Sequence, residues 1–336
     1  MLADQVVVVA GASAGIGRAT VQAFAREGVH LALLARDPGR LQQACQEALA
    51  LGSPRAIAIP TDMGDPEQVE AAAEQTENEL GPIDVWVNNA MVTVYSPVRK
   101  MTPAEFRRVT EVSYLGAVNG TLCAYRRMEM RGHGTIIQVG SALSFRGIPL
   151  QSAYCGAKFA LRGFTESLRA ELVHDGSPIR VAMVHLSAFN TMQFDWGRAH
   201  LDKRPQPLPP IFQPEIAARG IVRAASDTAT RDLWVGWPAV QMILASRFLP
   251  AWIFDRIVSR QGYGGQMSGE AIHPDRPDNL FDTVPGDHGA HGRFDHRAKD
   301  GGWQTLTTTP AGWGARLGLV GFAGLLVLAL LIYWLV

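Results

Sequence analysis

Residues 5–10 read Gln-Val-Val-Val-Val-Ala and run directly into Gly11-Ala-Ser13-Ala-Gly15-Ile16-Gly17. This junction constrains the fold more than any other stretch of the 336-residue chain. A valine run without polar alternation suits a strand buried on both faces, and such strands belong to parallel sheets covered by helices. Glycines at the strand's end permit a tight turn and let backbone approach a ligand closely. Residues 18–27 then carry Ala19, Phe24 and Ala25 at helical spacing. The loop therefore opens a helix, whose unpaired N–H groups and dipole favour a phosphate. A glycine pattern alone is weak evidence, and the strand–loop–helix setting is what gives it weight.

The same alternation repeats along the chain. Strands are predicted at 30–35, 55–60, 83–88, 135–140, 179–185 and, short, at 233–236, with helices between them. Thr102-Pro103-Ala104-Glu105 is a capping box with proline at the first helical position, opening a helix to about residue 130. A long helix is predicted over 151–174. Strands alternating with helices imply a parallel sheet with helices on both faces. Nearly half the residues are apolar, enough for a large core. A formal net charge of zero and the lack of a basic run argue against nucleic acid as a partner. Three cysteines (Cys45, Cys123, Cys155) without a C-x-x-C fit free thiols in a reducing compartment. The N-terminus shows no secretory signal pattern.

After residue 186 the regularity breaks. Residues 187–213 carry four prolines (Pro205, Pro207, Pro209, Pro210) and the aromatics Phe189, Phe194, Trp196 and Phe212. They read as a segment covering a substrate, or as an irregular surface loop. Residues 238–260 form an apolar helical stretch interrupted at Pro250, with Arg247, Arg256 and Arg260. It suits a membrane surface or packing on the domain or a subunit partner. Residues 273–314 are rich in Gly, Pro, Asp and His and read as an irregular, at most partly ordered linker, solvated where it carries its histidines. His288, His291 and His296 lie there beside Asp287 and Asp295, in spacings that match no metal template, so no metal site is expected. Residues 317–336 contain no charge. Twenty helical residues reach about 30 Å, the thickness of a bilayer core. With Trp313 before the run and Tyr333-Trp334 at its far end, residues 315–336 are expected to form a single-pass anchor with the catalytic domain in the cytoplasm.

The chemistry concentrates between residues 141 and 158. Ser141 follows a strand-like run, Tyr154 comes thirteen positions later, and Lys158 four after that. On a helix, positions i and i+4 share a face, so the Lys158 ammonium can sit near the Tyr154 phenol. A free phenol titrates near about 10, and a neighbouring cation favours phenolate, bringing it toward acid/base work. Tyr-x-x-x-Lys alone is also compatible with an ordinary helix.

Together, the ordered motifs resemble the short-chain dehydrogenase/reductase family over roughly residues 5–235. The Gly11-x-x-x-Gly15-x-Gly17 spacing is that family's glycine pattern. Asn88-Asn89-Ala90 stands where its Asn-Asn-Ala-Gly motif does, with Met91 in place of the last glycine. The resemblance implies an α/β, doubly wound, Rossmann-type, mostly parallel sheet in one catalytic domain over 1–236, with a substrate loop at about 187–214 and a helical extension at 237–272. It implies Tyr154 as general acid/base, Lys158 as the group that lowers its pKa and bonds the nicotinamide ribose, and Ser141 as the group that polarises the substrate oxygen. It further implies Gly11, Ser13, Gly15, Ile16, Gly17, Asp62, Asn89, Ala90, Tyr154, Lys158 and Thr191 around the cofactor. Homo-oligomers formed through the two long helices are also implied.

Three positions depart from the pattern. Ser113 stands where the family often has an Asn that orders a relay water. Leu186-Ser187-Ala188-Phe189-Asn190-Thr191 replaces the usual Pro-Gly after strand six, and Met91 replaces a glycine. Cofactor choice rests on Arg36-Asp37 at the end of strand two. Arg36 can meet a 2′-phosphate, which points to NADP(H); Asp37, if turned inward, would suit NAD(H). The expected function is NAD(P)-dependent interconversion of a carbonyl and a secondary alcohol, on a small and lipophilic substrate. The alternative is a non-catalytic nucleotide-binding or scaffolding protein on the same fold.

Overall fold

The computed structural model describes residues 2–273 and 275–309. The strands of the main sheet are β1 (Val6–Ala10), β2 (His30–Ala35), β3 (Ala56–Pro60), β4 (Ile83–Asn88), β5 (Thr135–Ser141), β6 (Arg180–Leu186), β7 (Asp232–Val235) and β8 (Thr307–Thr308). They lie in the order 8-7-6-5-4-1-2-3, and all neighbours are parallel except the β7–β8 pair. The helices are α1 (Gly15–Ala25), α2 (Pro38–Ala50), α3 (Pro66–Leu80), α4 (Pro103–Thr110), α5 (Gly116–Arg131), α6 (Ser152–His174), α7 (Pro214–Ser226), α8 (Trp237–Phe248) and α9 (Ala251–Ile257). This is a doubly wound, Rossmann-type sheet. Strand order reverses between β1 and β4, which opens a crevice at their carboxyl ends.

Side-chain alternation along β1 explains the two layers. Val7 and Val9 join the core that contains Phe24, Leu41 and Ile221, on the side of α1, α2 and α7. Val6 and Val8 join the opposite core with Val69, Trp86 and Cys123, on the side of α3 and α5. Both faces are covered, so the run needs no polar positions. Helix starts follow local chemistry. Asp37, Asp65 and Thr102 cap α2, α3 and α4, each followed by proline in the first turn. The capping box at Thr102 and Glu105 is formed in both directions.

The helix expected from 102 to 130 is interrupted by a π-helical turn, Glu111–Leu115, between α4 and α5. Such turns are frequent at functional sites, and this one carries Ser113. Residues 187–213 are ordered by pairing. Arg198–Ala199 runs parallel to Val94–Tyr95, Lys203–Pro205 antiparallel to Met267–Ala271, and Ile211–Phe212 parallel to Ala298–Lys299. Beyond β7, α8 ends at Phe248 and Pro250 caps α9.

Of the solvated linker expected over 273–314, the described part at 279–299 is packed on the domain instead. Residues 279–299 return across the domain. Leu280 is 0% exposed among Val92, Val94, Val109, Val112 and Ala153, and Phe294 is 3% exposed beside Tyr95 and Phe194. The physical reason is that this Gly- and Pro-rich stretch still carries spaced apolar residues, and full burial of one leucine contributes about 2 kcal/mol. The expected membrane anchor at 315–336 lies outside the described residues. Among the described residues no helix is long and apolar enough to cross a membrane. Nor does any group of three or more His, Cys, Asp or Glu among them lie where it could hold a metal ion.

Candidate active site

The glycine loop at the end of β1 is fixed by close approach. A Cβ on Gly17 would stand 1.9 Å from the Gly11 carbonyl oxygen, and Gly11 itself has φ +74°. No other residue type fits either position without moving backbone. Asn89, at the end of β4, donates to the Ala10 and Gly11 carbonyls at 3.3 Å each and so ties two strand ends together. Asn88 instead points into the core, bonding Trp86, Thr121 and Gln138.

These elements border a cleft of about 930 Å³, its open mouth included. Gly11, Ser13, Gly15, Ile16, Gly17, Arg36, Asp62, Asn89, Ala90 and Thr191 all line it, so the structure brings together the cofactor residues named from sequence outside the Tyr154–Lys158 pair. Ile16 and Gly17 lie in the first turn of α1, whose N–H groups have no carbonyl within the helix to bond. The donor set fits a dinucleotide: first-turn amides for a pyrophosphate, and a guanidinium at the end of β2. Asp37 is committed elsewhere. Its carboxylate accepts from the Arg40 N–H at 3.0 Å and pairs with the Arg40 guanidinium at 3.1 Å. Asp62 accepts from the Gly64 N–H at 2.9 Å and forms an ion pair with Arg108.

Ser141, Tyr154 and Lys158 do not line this cleft; they gather at the carboxyl end of β5, the strand beside β4. Ser141 ends β5, and its Oγ accepts from the Leu143 N–H at 3.1 Å. Its side chain also favours the ionised form of the neighbouring Tyr154 phenol. Tyr154 and Lys158 lie one turn apart on α6, with the ammonium 5.7 Å from the Tyr154 ring centroid. Lys158 Nζ donates to the Val139 carbonyl at 2.7 Å and is 3% exposed. Burial brings Lys158 down to about 8. Burial also pushes Tyr154 up to about 12, partly offset by the Ser141 side chain. The phenol thus stands above its ordinary value here, because desolvation dominates while the ammonium is engaged with Val139.

Ser113 is buried and exchanges two bonds with one residue. Its Oγ donates to the Val92 carbonyl at 2.8 Å and accepts from the Val92 N–H at 3.0 Å. It therefore braces the strand-four loop and shares no hydrogen bond with Lys158, whose bond runs to Val139.

Apart from Trp196, which belongs to the aromatic segment 187–213, the other residues nearby carried no sequence signal. Tyr95 is buried against Leu150, Phe194, Leu201, Ile211 and Phe294. Its hydroxyl is pushed well above the ordinary range, by burial first and then by Tyr154. Trp196 lines the cleft under the Arg40 guanidinium, which lies 5.0 Å from its ring. Arg108 and Asn279 meet the site from 46 and 243 positions away from Asp62 and Arg36, respectively. The loop before α6 is held from above by α9: Arg146 pairs with Asp255 and lies 4.8 Å over the Phe254 ring.

A doubly wound sheet with a glycine-rich first turn and a serine–tyrosine–lysine group beyond its strand ends defines an α/β oxidoreductase of the short-chain type. Comparison with known proteins agrees. Residues 5–198 match the family model described as short chain dehydrogenase. An uncharacterised oxidoreductase of Bacillus subtilis, YxnA, is 33% identical over 289 residues, covering 85% of this chain and 80% of that protein. The putative oxidoreductase SadH of Mycobacterium tuberculosis is 33% identical over 252 residues, covering 73% of this chain and 91% of SadH. Among solved structures, a metagenomic short-chain oxidoreductase in complex with NADP superposes with a TM-score of 0.58 at 25% identity, covering 68% of this chain and 96% of that one. An alcohol dehydrogenase from Thermococcus sibiricus complexed with 5-hydroxy-NADP gives 0.59 at 25% identity, with coverage of 68% and 95%. The chain belongs to the short-chain dehydrogenase/reductase family of oxidoreductases.

Proposed function

We propose that this protein is an NADP(H)-dependent oxidoreductase that interconverts a carbonyl and a secondary alcohol on a lipophilic substrate. The observation that carries the reading is the grouping of Ser141, Tyr154 and Lys158 at the carboxyl end of β5, with the ammonium 5.7 Å from the phenol ring and the glycine-loop cleft at the ends of the neighbouring strands. When bound, the nicotinamide supplies or accepts the hydride. In reduction Tyr154 Oη delivers its proton to the carbonyl oxygen, and in oxidation it takes one from the alcohol. Ser141 Oγ holds that oxygen beside the phenol. Lys158, near 8, stays cationic at neutral pH and so favours the charge that Tyr154 carries after proton loss. Ser113 is read as a relay position: after the two bonds with Val92, its Oγ keeps one lone pair for a further donor.

For NADP(H), support comes from Arg36 lining the cleft while the Asp37 carboxylate is held at the start of α2. Two similar solved structures are complexes with NADP-type cofactors. The aromatic segment 187–213, whose Trp196 lines the cleft, supports a lipophilic substrate. Exposed Leu122 and Phe159 on α5 and α6 support homo-oligomers through these helices. Exposed Phe248 and Trp252 next to Arg247 and Arg256, together with the uncharged run at 317–336, support a membrane location with the catalytic domain in the cytoplasm.

NADPH consumption with a panel of apolar aldehydes and ketones tests the reading. Tyr154→Phe is expected to lower kcat by roughly 10²–10⁴ while retaining dinucleotide binding. Arg36→Asp is expected to weaken NADPH far more than NADH; an unchanged ratio would sink the cofactor assignment. Dinucleotide binding by the wild type without turnover on a broad panel would favour a non-catalytic nucleotide-binding role.

A further inference from the structure

Residues 279–294 cross the dinucleotide cleft from one end to the other. At the adenosine end, the carbonyls of Asn279 and Phe281 accept from the Arg36 guanidinium at 2.5 and 2.8 Å. The Leu280 carbonyl accepts from Arg36 at 3.4 Å and from Arg108 Nε at 3.2 Å. At the glycine loop, the Gly289 carbonyl accepts from the Gly15 N–H at 3.0 Å, and Asp287 pairs with Arg18 at 3.5 Å. At the Thr191 end, the Gly292 N–H donates to the Asn190 carbonyl at 3.2 Å, and the Phe294 N–H to Asn190 Oδ1 at 3.0 Å. Asn279 and Thr283 line the cleft directly.

The two ends are anchored differently from the middle. Leu280 and Phe294 are buried in separate apolar clusters. Between them, Phe281, Asp282, Thr283, Pro285, Gly286 and Asp287 are exposed, only the small side chains of Val284 and Ala290 are buried, and Gly286 and Gly289 have positive φ. A span held by few buried side chains between two anchors opens at lower cost than the core. A dinucleotide lying along the cleft cannot pass beneath a segment bonded at both ends of it. The Arg36 donors used by the strap are also those that a 2′-phosphate would share.

We propose that residues 279–294 form a cofactor-retaining strap, which walls the cleft, orients Arg36 through backbone carbonyls and must lift for the dinucleotide to exchange. The inference rests on the reading that the cleft takes NAD(P)(H). Leu280 is its adenosine-end anchor and a positioning residue. It acts through Arg36 and Arg108, and its side chain is buried away from solvent.

The test uses the full-length protein. NADPH release is followed by stopped-flow fluorescence on displacement with excess NADP+, in the wild type and in Leu280→Ala. The variant is expected to release NADPH at least tenfold faster, with a correspondingly weaker Kd. Hydrogen exchange on the wild type gives a second measurement that needs no substitution: saturating NADP+ should slow exchange of the amides of 279–294. An unchanged release rate in Leu280→Ala, or exchange in 279–294 indifferent to NADP+, would overturn the strap. Failure of the wild type to bind either NADPH or NADH would instead overturn the dinucleotide reading, and the strap with it.

Discussion

Lys158 shows how a single residue is held in a state that folding alone would not choose. Its ammonium titrates near 10.5 when free and about 8 in the folded protein, because burial removes water from it. Between these values the unfolded chain binds more protons, so stability rises with pH across the window. The contribution is fully present above 10.5 and is lost as pH falls through 8. At pH 7 the buried charge therefore costs about 3 kcal/mol. Lys158→Met is expected to raise the melting temperature at pH 7 by a few degrees, after allowing for the lost bond to Val139, while turnover collapses. Melts at pH 7 and pH 10 check this: the gain should shrink at the higher pH, and a variant no more stable than wild type at pH 7 would refute it. Ser141, Tyr154 and Lys158 were legible in the sequence because their spacing follows from one helix and the strand before it. Tyr95 was not, because its place beside Tyr154 depends on apolar partners from four other parts of the chain.

Among the elements, the strap and α7 meet at a charged contact with its own pH dependence. The protonated His291 ring donates to the carboxylates of Glu215 at 2.8 Å and Asp295 at 2.9 Å, and Asp295 also accepts from Asn190 and Gln213. Burial opposes its charge, but the bonds and charges of Glu215 and Asp295 outweigh that and raise its pKa above 6.5. The stabilisation is thus fully present below 6.5 and is lost as pH rises through the elevated value. The group is more than a third exposed, so the effect is modest. Protection of the amides of 289–294 against hydrogen exchange, corrected for intrinsic rates, should fall more between pH 6 and 8 in the wild type than in His291→Gln. Equal slopes would remove His291 from the account. The elements of the main sheet were predictable from β-branched runs, caps and prolines, as β1, α2 and α4 illustrate. The π turn at Glu111–Leu115 was not, since a one-residue change in helical register leaves no mark in apolar spacing.

At the scale of the whole molecule, the chain after β7 does more than connect. It supplies β8 at the sheet edge, the roof over the loop before α6, and the strap over the cleft. Residues 315–336 follow these elements. Under the proposed anchoring, deleting 315–336 should yield a soluble protein with unchanged kcat on any substrate found. Fractionation by sedimentation checks this, and continued pelleting with membranes would exclude that run as the sole anchor. Leu280→Ala, which weakens the strap, should leave membrane association untouched, because the two features occupy different parts of the extension.

The sequence by itself determined the parallel sheet, the glycine loop and the serine–tyrosine–lysine group. Each of these is set by local rules: side-chain period, backbone freedom at Gly11 and Gly17, and one turn of α6. Tertiary structure decided the rest. Asp37 faces its own helix because Arg40 reaches it, and Arg36 turns to carbonyls 243 to 245 positions later in the chain. Ser113 is committed to Val92 by a loop packed against it. The stretch read as a solvated linker became the wall of the cleft, because a few spaced apolar residues are enough to dock a chain when a core with matching gaps lies beside it. Which gaps lie beside it is not written in any local pattern.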